Sequence, residues 1–137
     1  MSGPQRLKKR ADVVTEDSQL TRSISIKRAY EDATEADGFR ILVDRLWPRG
    51  RTKGQMALAQ WNKDWAPSPE LRTWFDHRPD RFAEFSHRYV TEMQSNPAIQ
   101  AALKSLPKKH ITLVYGARDP KINHAVVLAG YLERHHE

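Results

Sequence analysis

Apolar positions change their spacing several times along the chain, and each change marks an element. Ser23-Ile24-Ser25-Ile26-Lys27-Arg28 alternates polar and apolar residues, the period of a short strand. Residues 30–38 are acidic, with Glu31, Asp32, Glu35 and Asp37, and end in Asp37-Gly38, a turn signal. A second, apolar strand is predicted over about 39–46, beginning Phe39-Arg40-Ile41-Leu42-Val43 and ending before Pro48 and Gly50. Four helices are then expected. In 55–65, Leu58, Trp61 and Trp65 recur at helical spacing; Ser68 caps the next, with Pro69 and Glu70 in its first turn and Leu71, Trp74 and Phe75 on one face. Pro79-Asp80 opens a third with the stripe Phe82, Phe85, Tyr89 and Met93, and Asn96-Pro97 a fourth with Ile99, Leu103 and Leu106. His110 to Gly116 is nearly continuous in apolar residues, as in a central strand. A last helix is predicted over about 120–134, capped by Asp119 and carrying Ile122, Val126, Ala129 and Leu132. The fold expected is α/β: a short, mostly parallel sheet of about three to four strands flanked by helices, with a helical insertion before the last strand.

Composition narrows this further. A length of 137 residues fits one domain, here expected over 23–137, and 39% hydrophobic residues suffice for a core. Residues 1–22 keep neither period and read as a disordered or loosely docked basic tail. The mean hydropathy of −0.75 and the lack of a long apolar run argue against a membrane partner, and the N-terminus lacks the apolar stretch of a signal peptide. Cysteine is absent, which excludes disulfides, thiol nucleophiles and cysteine-ligated metal, and fits a cytoplasmic protein. The net charge of +6 matters mainly where it is concentrated: residues 44–53 hold Arg45, Arg49, Arg51 and Lys53 against Asp44. Such a patch attracts phosphate, carboxylate or nucleic acid.

Candidate chemistry gathers at two strand ends. One offers Asp44, Arg45, Trp47 and Arg49; the other offers Tyr115, Arg118, Asp119, Asn123 and His124. If the two strands are parallel neighbours, both ends lie on one sheet edge, beside the positive end of the last helix. Arg45, Arg49 and Arg118 would grip an anion, with Tyr115, Asp119 and Asn123 as further ligand contacts; Trp47 would stack on a planar group. Asp44 would orient a ligand or act as base, and His124 would exchange protons. Plainer readings stand beside these: Asp119 as a helix cap, Asp44 ion-paired with Arg45, the tryptophans as core. No metal site is expected, because no histidine pair has ligand spacing, and no Walker loop, dinucleotide fingerprint or nucleophile elbow names a cofactor.

The strings Ile26-Lys27-Arg28, Asp37-Gly38-Phe39-Arg40, Leu42-Val43-Asp44-Arg45-Leu46-Trp47-Pro48-Arg49-Gly50 and Asn123-His124-Ala125-Val126-Val127-Leu128 make a specific match. With Trp61, Ala66-Pro67-Ser68, Leu71-Arg72, Trp74-Phe75 and His77, they resemble the YeaO-like bacterial branch of the family called domain of unknown function 488. The resemblance covers about residues 23–134 and implies an intracellular bacterial α/β domain. The wider family often carries Cys and a Cys-His-Arg run where this chain has Tyr115 and Asn123-His124-Ala125, so thiol chemistry does not carry over. Three roles stay open: an enzyme or binding domain for a small phosphorylated or nucleotide-like anion, a nucleic-acid-associated accessory protein, and a protein-interaction module. Oligomeric state is open as well.

Overall fold

Among the described residues, four parallel strands form one sheet, and the last of them in sequence lies inside it. The structure, a computed structural model, describes residues 23–135; the expectation of a tail over 1–22 lies outside them. In chain order the strands are β1 (Ile24–Arg28), β2 (Phe39–Leu42), β3 (Gln60–Trp61) and β4 (Ile111–Tyr115), and the sheet order is β1-β4-β2-β3. Ile24 to Arg28 pair in register with Ile111 to Tyr115, and Phe39 to Leu42 pair with Ile111 to Val114. Strand β4 has parallel neighbours on both sides and side chains packed on both faces, and every residue of it is buried, in agreement with its nearly continuous apolar sequence.

The helices are α1 (Lys53–Met56), α2 (Pro69–Phe75), α3 (Phe82–Gln94), α4 (Pro97–Ser105) and α5 (His124–Arg134). Helices α2 to α5 join Ile41, Val43, Ile111, Leu113 and Tyr115 in the main core. Phe85, Tyr89 and Met93 lie on its inner face, with Phe85 stacked on Phe75 at 4.2 Å between ring centroids. The other sheet face carries a smaller cluster of Ala29, Leu42, Met56 and Val114, against which Trp47, Leu58 and Trp61 pack. Its remaining part is polar. Asp37 accepts from Lys27 Nζ at 3.1 Å and from Arg40 Nη1 at 2.7 Å, and its main-chain carbonyl accepts from the Thr112 hydroxyl.

Three boundaries differ from expectation. The helix expected over 55–65 is instead α1, β3 and a 3₁₀ turn at Lys63–Trp65. Ala57 takes a left-handed conformation that ends α1 after one turn, and the Ala59 N–H and Asn62 N–H donate to β2 carbonyls, turning the segment into an edge strand. Strand β2 stops at Leu42, not near 46: one more backbone bond runs from the Val43 N–H to the Val114 carbonyl, and the next tie to the end of β4 is made by the Asp44 side chain. The last helix starts at His124, capped by the Asn123 side chain, not by Asp119. Asp119 instead closes a turn of its own, accepting from the N–H groups of Lys121 and Ile122.

Gly38 permits the entry into β2. Its φ is +66°, and a Cβ there would run into the main-chain carbonyl of His110, just before β4. The Asp37-Gly38 pair thus serves as the turn that its composition predicts.

Candidate functional site

The chain leaves β2 towards β3 on one side, whereas β4 lies on the other side of β2 and leads into α5. Neighbouring parallel strands whose continuations diverge leave a crevice at their carboxyl ends. A cavity of about 510 Å³ opens there. It is lined on the polar side by Asp44, Arg45, Arg72, Asp76, Asn123 and His124, and on the apolar side by residues including Pro67, Phe75 and Phe85. A second hollow of about 400 Å³ adjoins it, lined by His77, Gly116, Ala117, Arg118, Asp119 and Ile122.

Asp44 ties the crevice together. One carboxylate oxygen accepts from the Gly116 N–H at 2.8 Å, joining the end of β2 to the end of β4. The other lies 3.1 Å from His124 Nε2 on α5. That same nitrogen is 3.0 Å from the Val43 carbonyl, which can only accept, so Nε2 carries the proton. The contact to Val43 has hydrogen-bond geometry and that to Asp44 does not, which leaves a buried Asp44 oxygen without a hydrogen bond. Gly116 leaves room for this approach: a Cβ there would sit 3.0 Å from the Asp44 carboxylate, a tight contact.

Under the site, Tyr89 places its ring edge-on to His124 at 6.3 Å and donates its hydroxyl to the Trp65 carbonyl. Burial pushes its phenol well above the usual range, so it stays neutral and donates. Arg45 Nε donates to the Pro67 carbonyl at 3.3 Å. Neither Arg45, Arg72 nor Arg118 is ion-paired with a carboxylate among the described residues.

The residues singled out in the sequence divide accordingly. Asp44, Arg45, Asn123 and His124 meet in the larger cavity, and Arg118 and Asp119 line the smaller one. Asp44 pairs with His124, not with Arg45. Asn123 is 2% exposed, and its side chain is used in capping α5 and in donating to the Asp119 carbonyl. Tyr115 is buried in the core and lines neither hollow; burial, with the Glu31 carboxylate adding to it, raises its phenol. Trp47 is on the opposite sheet face, edge-on to Trp61 at 5.4 Å and donating to the Arg51 carbonyl. Arg49 is exposed on the outer loop and lines neither hollow. Arg72, Asp76 and His77 enter the lining from α2 and its end. Arg72 lies opposite the apolar stripe of α2, and an exposed charge of that kind carries no signal of a site in the sequence. Asp76 and His77 are consecutive non-glycine residues at positive φ, 50° and 55°, which turn the chain back along the cavity rim.

Among the described residues, no group of three or more acidic or histidine side chains is arranged to hold a metal ion, and no helix is long and apolar enough to cross a membrane. Uncharacterized protein YeaO of Escherichia coli K12 is 42% identical over 111 residues, 80% of this chain and 96% of that protein. Uncharacterized protein Rv3073c of Mycobacterium tuberculosis H37Rv is 41% identical over 109 residues, 80% of this chain and 92% of that protein. No solved structure matches the chain. The family description "Inactive DUF488-N3 subclade" matches residues 23–137, and the chain belongs to that YeaO-like subclade of the domain-of-unknown-function 488 family.

Proposed function

We propose that the protein is a binding domain for a small phosphorylated or nucleotide-like anion, held in the crevice between the ends of β2 and β4. One observation carries this: two arginines without carboxylate partners, Arg45 and Arg72, line a cavity whose other wall includes Pro67, Phe75 and Phe85. A ligand site of this kind combines apolar wall with a few convergent polar groups, in a volume of several hundred Å³. Arg45 is partly oriented already, since its Nε is tied to a main-chain carbonyl, which lowers the entropy lost on gripping an anion.

Asp44 and His124 are the acid–base pair of the cavity, and a proton-transfer role for them remains part of this proposal's test. Two facts favour binding without turnover. The His124 Nε2 proton is directed to the Val43 carbonyl, and the family description reads "inactive". Thermal-shift and calorimetric titration with inorganic phosphate, nucleotides and phosphosugars tests the reading. Saturable stabilisation that Arg45→Ala and Arg72→Ala each reduce is expected; the absence of any anion-dependent stabilisation would refute it. Turnover of a bound ligand that His124→Gln abolishes would instead make the protein an enzyme.

A second reading has its own support. Arg28 Nε donates to the Ala117 carbonyl and Arg51 Nε to the Ala29 carbonyl, and neither arginine is ion-paired among the described residues. With exposed Arg49 and Tyr30 they make a basic rim suited to a nucleic-acid backbone. Binding of unrelated oligonucleotides that weakens steeply with salt would favour this reading.

A further inference from the structure

The larger cavity and its neighbour share an edge. His77 lines both, as do Gly116 and Ala117 at the end of β4. Arg45 and Arg72 serve the first hollow and Arg118 the second. Arg45 follows β2 and Arg118 follows β4, adjacent strands about 5 Å apart. The positive groups therefore sit on both sides of a low saddle made by a glycine and an alanine.

The carboxylates in this lining are in different states. Asp44 accepts from the Gly116 N–H, and Asp119 from two main-chain N–H groups, so both are partly compensated. Asp76 is exposed at the rim, and its carboxylate is in no ion pair among the described residues. A carboxylate in that state repels phosphate but accepts well from hydroxyl groups. The lining thus offers cationic groups at two places and a hydroxyl acceptor beside them.

We propose that the two hollows form one groove for a ligand with two anionic groups joined by a hydroxyl-bearing segment, the chemistry of a sugar bisphosphate. This deepens the preceding reading and rests on it. One phosphate lies with Arg45 and Arg72, the other with Arg118, the segment between them crosses Gly116 and Ala117, and its hydroxyls donate to Asp76. His77, held at the boundary by the two left-handed residues, contacts the middle of the ligand.

The test is calorimetric titration at fixed ionic strength with inorganic phosphate, glucose 6-phosphate and fructose 1,6-bisphosphate. Linking two anionic groups makes the second contact intramolecular, so the bisphosphate should bind roughly tenfold tighter than the monophosphate, or more. Arg118→Ala should remove that advantage, bringing the bisphosphate down to the affinity of the monophosphate; Arg45→Ala should weaken all three probes. Arg118 is exposed, and circular dichroism of the variant checks its fold. Equal affinity for mono- and bisphosphate, or an Arg118→Ala variant that still prefers the bisphosphate, overturns the two-headed groove and leaves the single anion site standing. Failure of every phosphate to bind overturns both.

Discussion

Asp37→Asn removes one charge at the centre of the polar half of the sheet, and its cost can be worked from the contacts. Asp37 is 8% exposed and accepts from Lys27 Nζ, Arg40 Nη1, the Thr34 N–H and the Thr34 hydroxyl. Burial alone would raise its carboxyl; the Thr34 N–H, then Lys27, Arg40 and the Thr34 hydroxyl more than offset it and lower it from 3.8 to about 2. That difference corresponds to about 2 kcal/mol at most, since the Lys27 end of the network meets water. Asparagine adds a further loss, because it leaves the Arg40 guanidinium, 3% exposed, without a counter-ion. Breaking a buried pair from one side costs roughly 3–5 kcal/mol, and the expected total lies in that range. The pH dependence has a definite sign. A depressed carboxyl contributes stability above its unfolded value near 4 and loses it as pH falls towards 2. Urea melts of both proteins at several pH values provide the assay. The gap between wild type and Asp37→Asn should be full at pH 7 and shrink between about pH 4 and 2. A gap below about 1 kcal/mol at pH 7, or one independent of pH, would show that Asp37 is not the counter-ion on which Arg40 depends.

Other outcomes follow from single contacts. Phe85→Ala should cost roughly 3–5 kcal/mol in denaturant melts, because Phe85 is 1% exposed and stacked on Phe75; a loss under about 1 kcal/mol would contradict its burial. Asn123→Ala should destabilise by about 1 kcal/mol or more through loss of the α5 cap, whereas Asp119→Ala should cost less, since Asp119 closes only an exposed turn; the reverse order in thermal melts would return the cap to Asp119. Gly38→Ala should destabilise by more than about 1 kcal/mol, because it combines a positive φ with a clash against the His110 carbonyl; unchanged stability in the same melts would mean that this turn relaxes freely.

The parts of the fold legible in the sequence are those fixed by contacts close along the chain. Ser68-Pro69, Asn96-Pro97 and Asp37-Gly38 mark element starts and turns by local chemistry, and the structure uses all three. The interior position of β4 was legible because a parallel strand covered on both faces is nearly continuous in apolar residues. Residues 55–65 misled because Leu58 and Trp61 keep helical spacing yet pack beneath a strand two residues long, whose pairing partner is β2, far outside the local window. Asp119 misled because an Asp-Pro pair opens turns as well as helices, and the better cap, Asn123, follows four residues later. Of the residues singled out at the strand ends, Asp44, Arg45, Asn123, His124, Arg118 and Asp119 line the two hollows, whereas Trp47, Arg49 and Tyr115 lie elsewhere. Arg72, Asp76 and His77 were not legible, because their place depends on how α2 packs over the sheet.

The location of the cavity has a cause that is independent of what fills it. Strand β2 ends early, and the Asp44 carboxylate takes over the hydrogen bonding to β4 at Gly116. The last backbone bond to β4 is donated by the Val43 N–H to the Val114 carbonyl, and the Asp44 side chain makes the next tie, so the chain is free to leave the sheet after Asp44. Val43 follows into the main core, and its carbonyl holds the His124 ring at the start of α5. Three elements are thus anchored around two successive residues, and the loops that leave them carry Arg45 and Arg118. A half-buried carboxylate beside a histidine resembles a catalytic dyad, yet here both Asp44 and His124 have main-chain partners that a purely structural clamp would also need. The Asp44 oxygen that carries no hydrogen bond is the group of the pair not committed to such a tie. Ligand binding requires neither tie to change, and the cationic groups available for it are those whose side chains have no counter-ion in the fold.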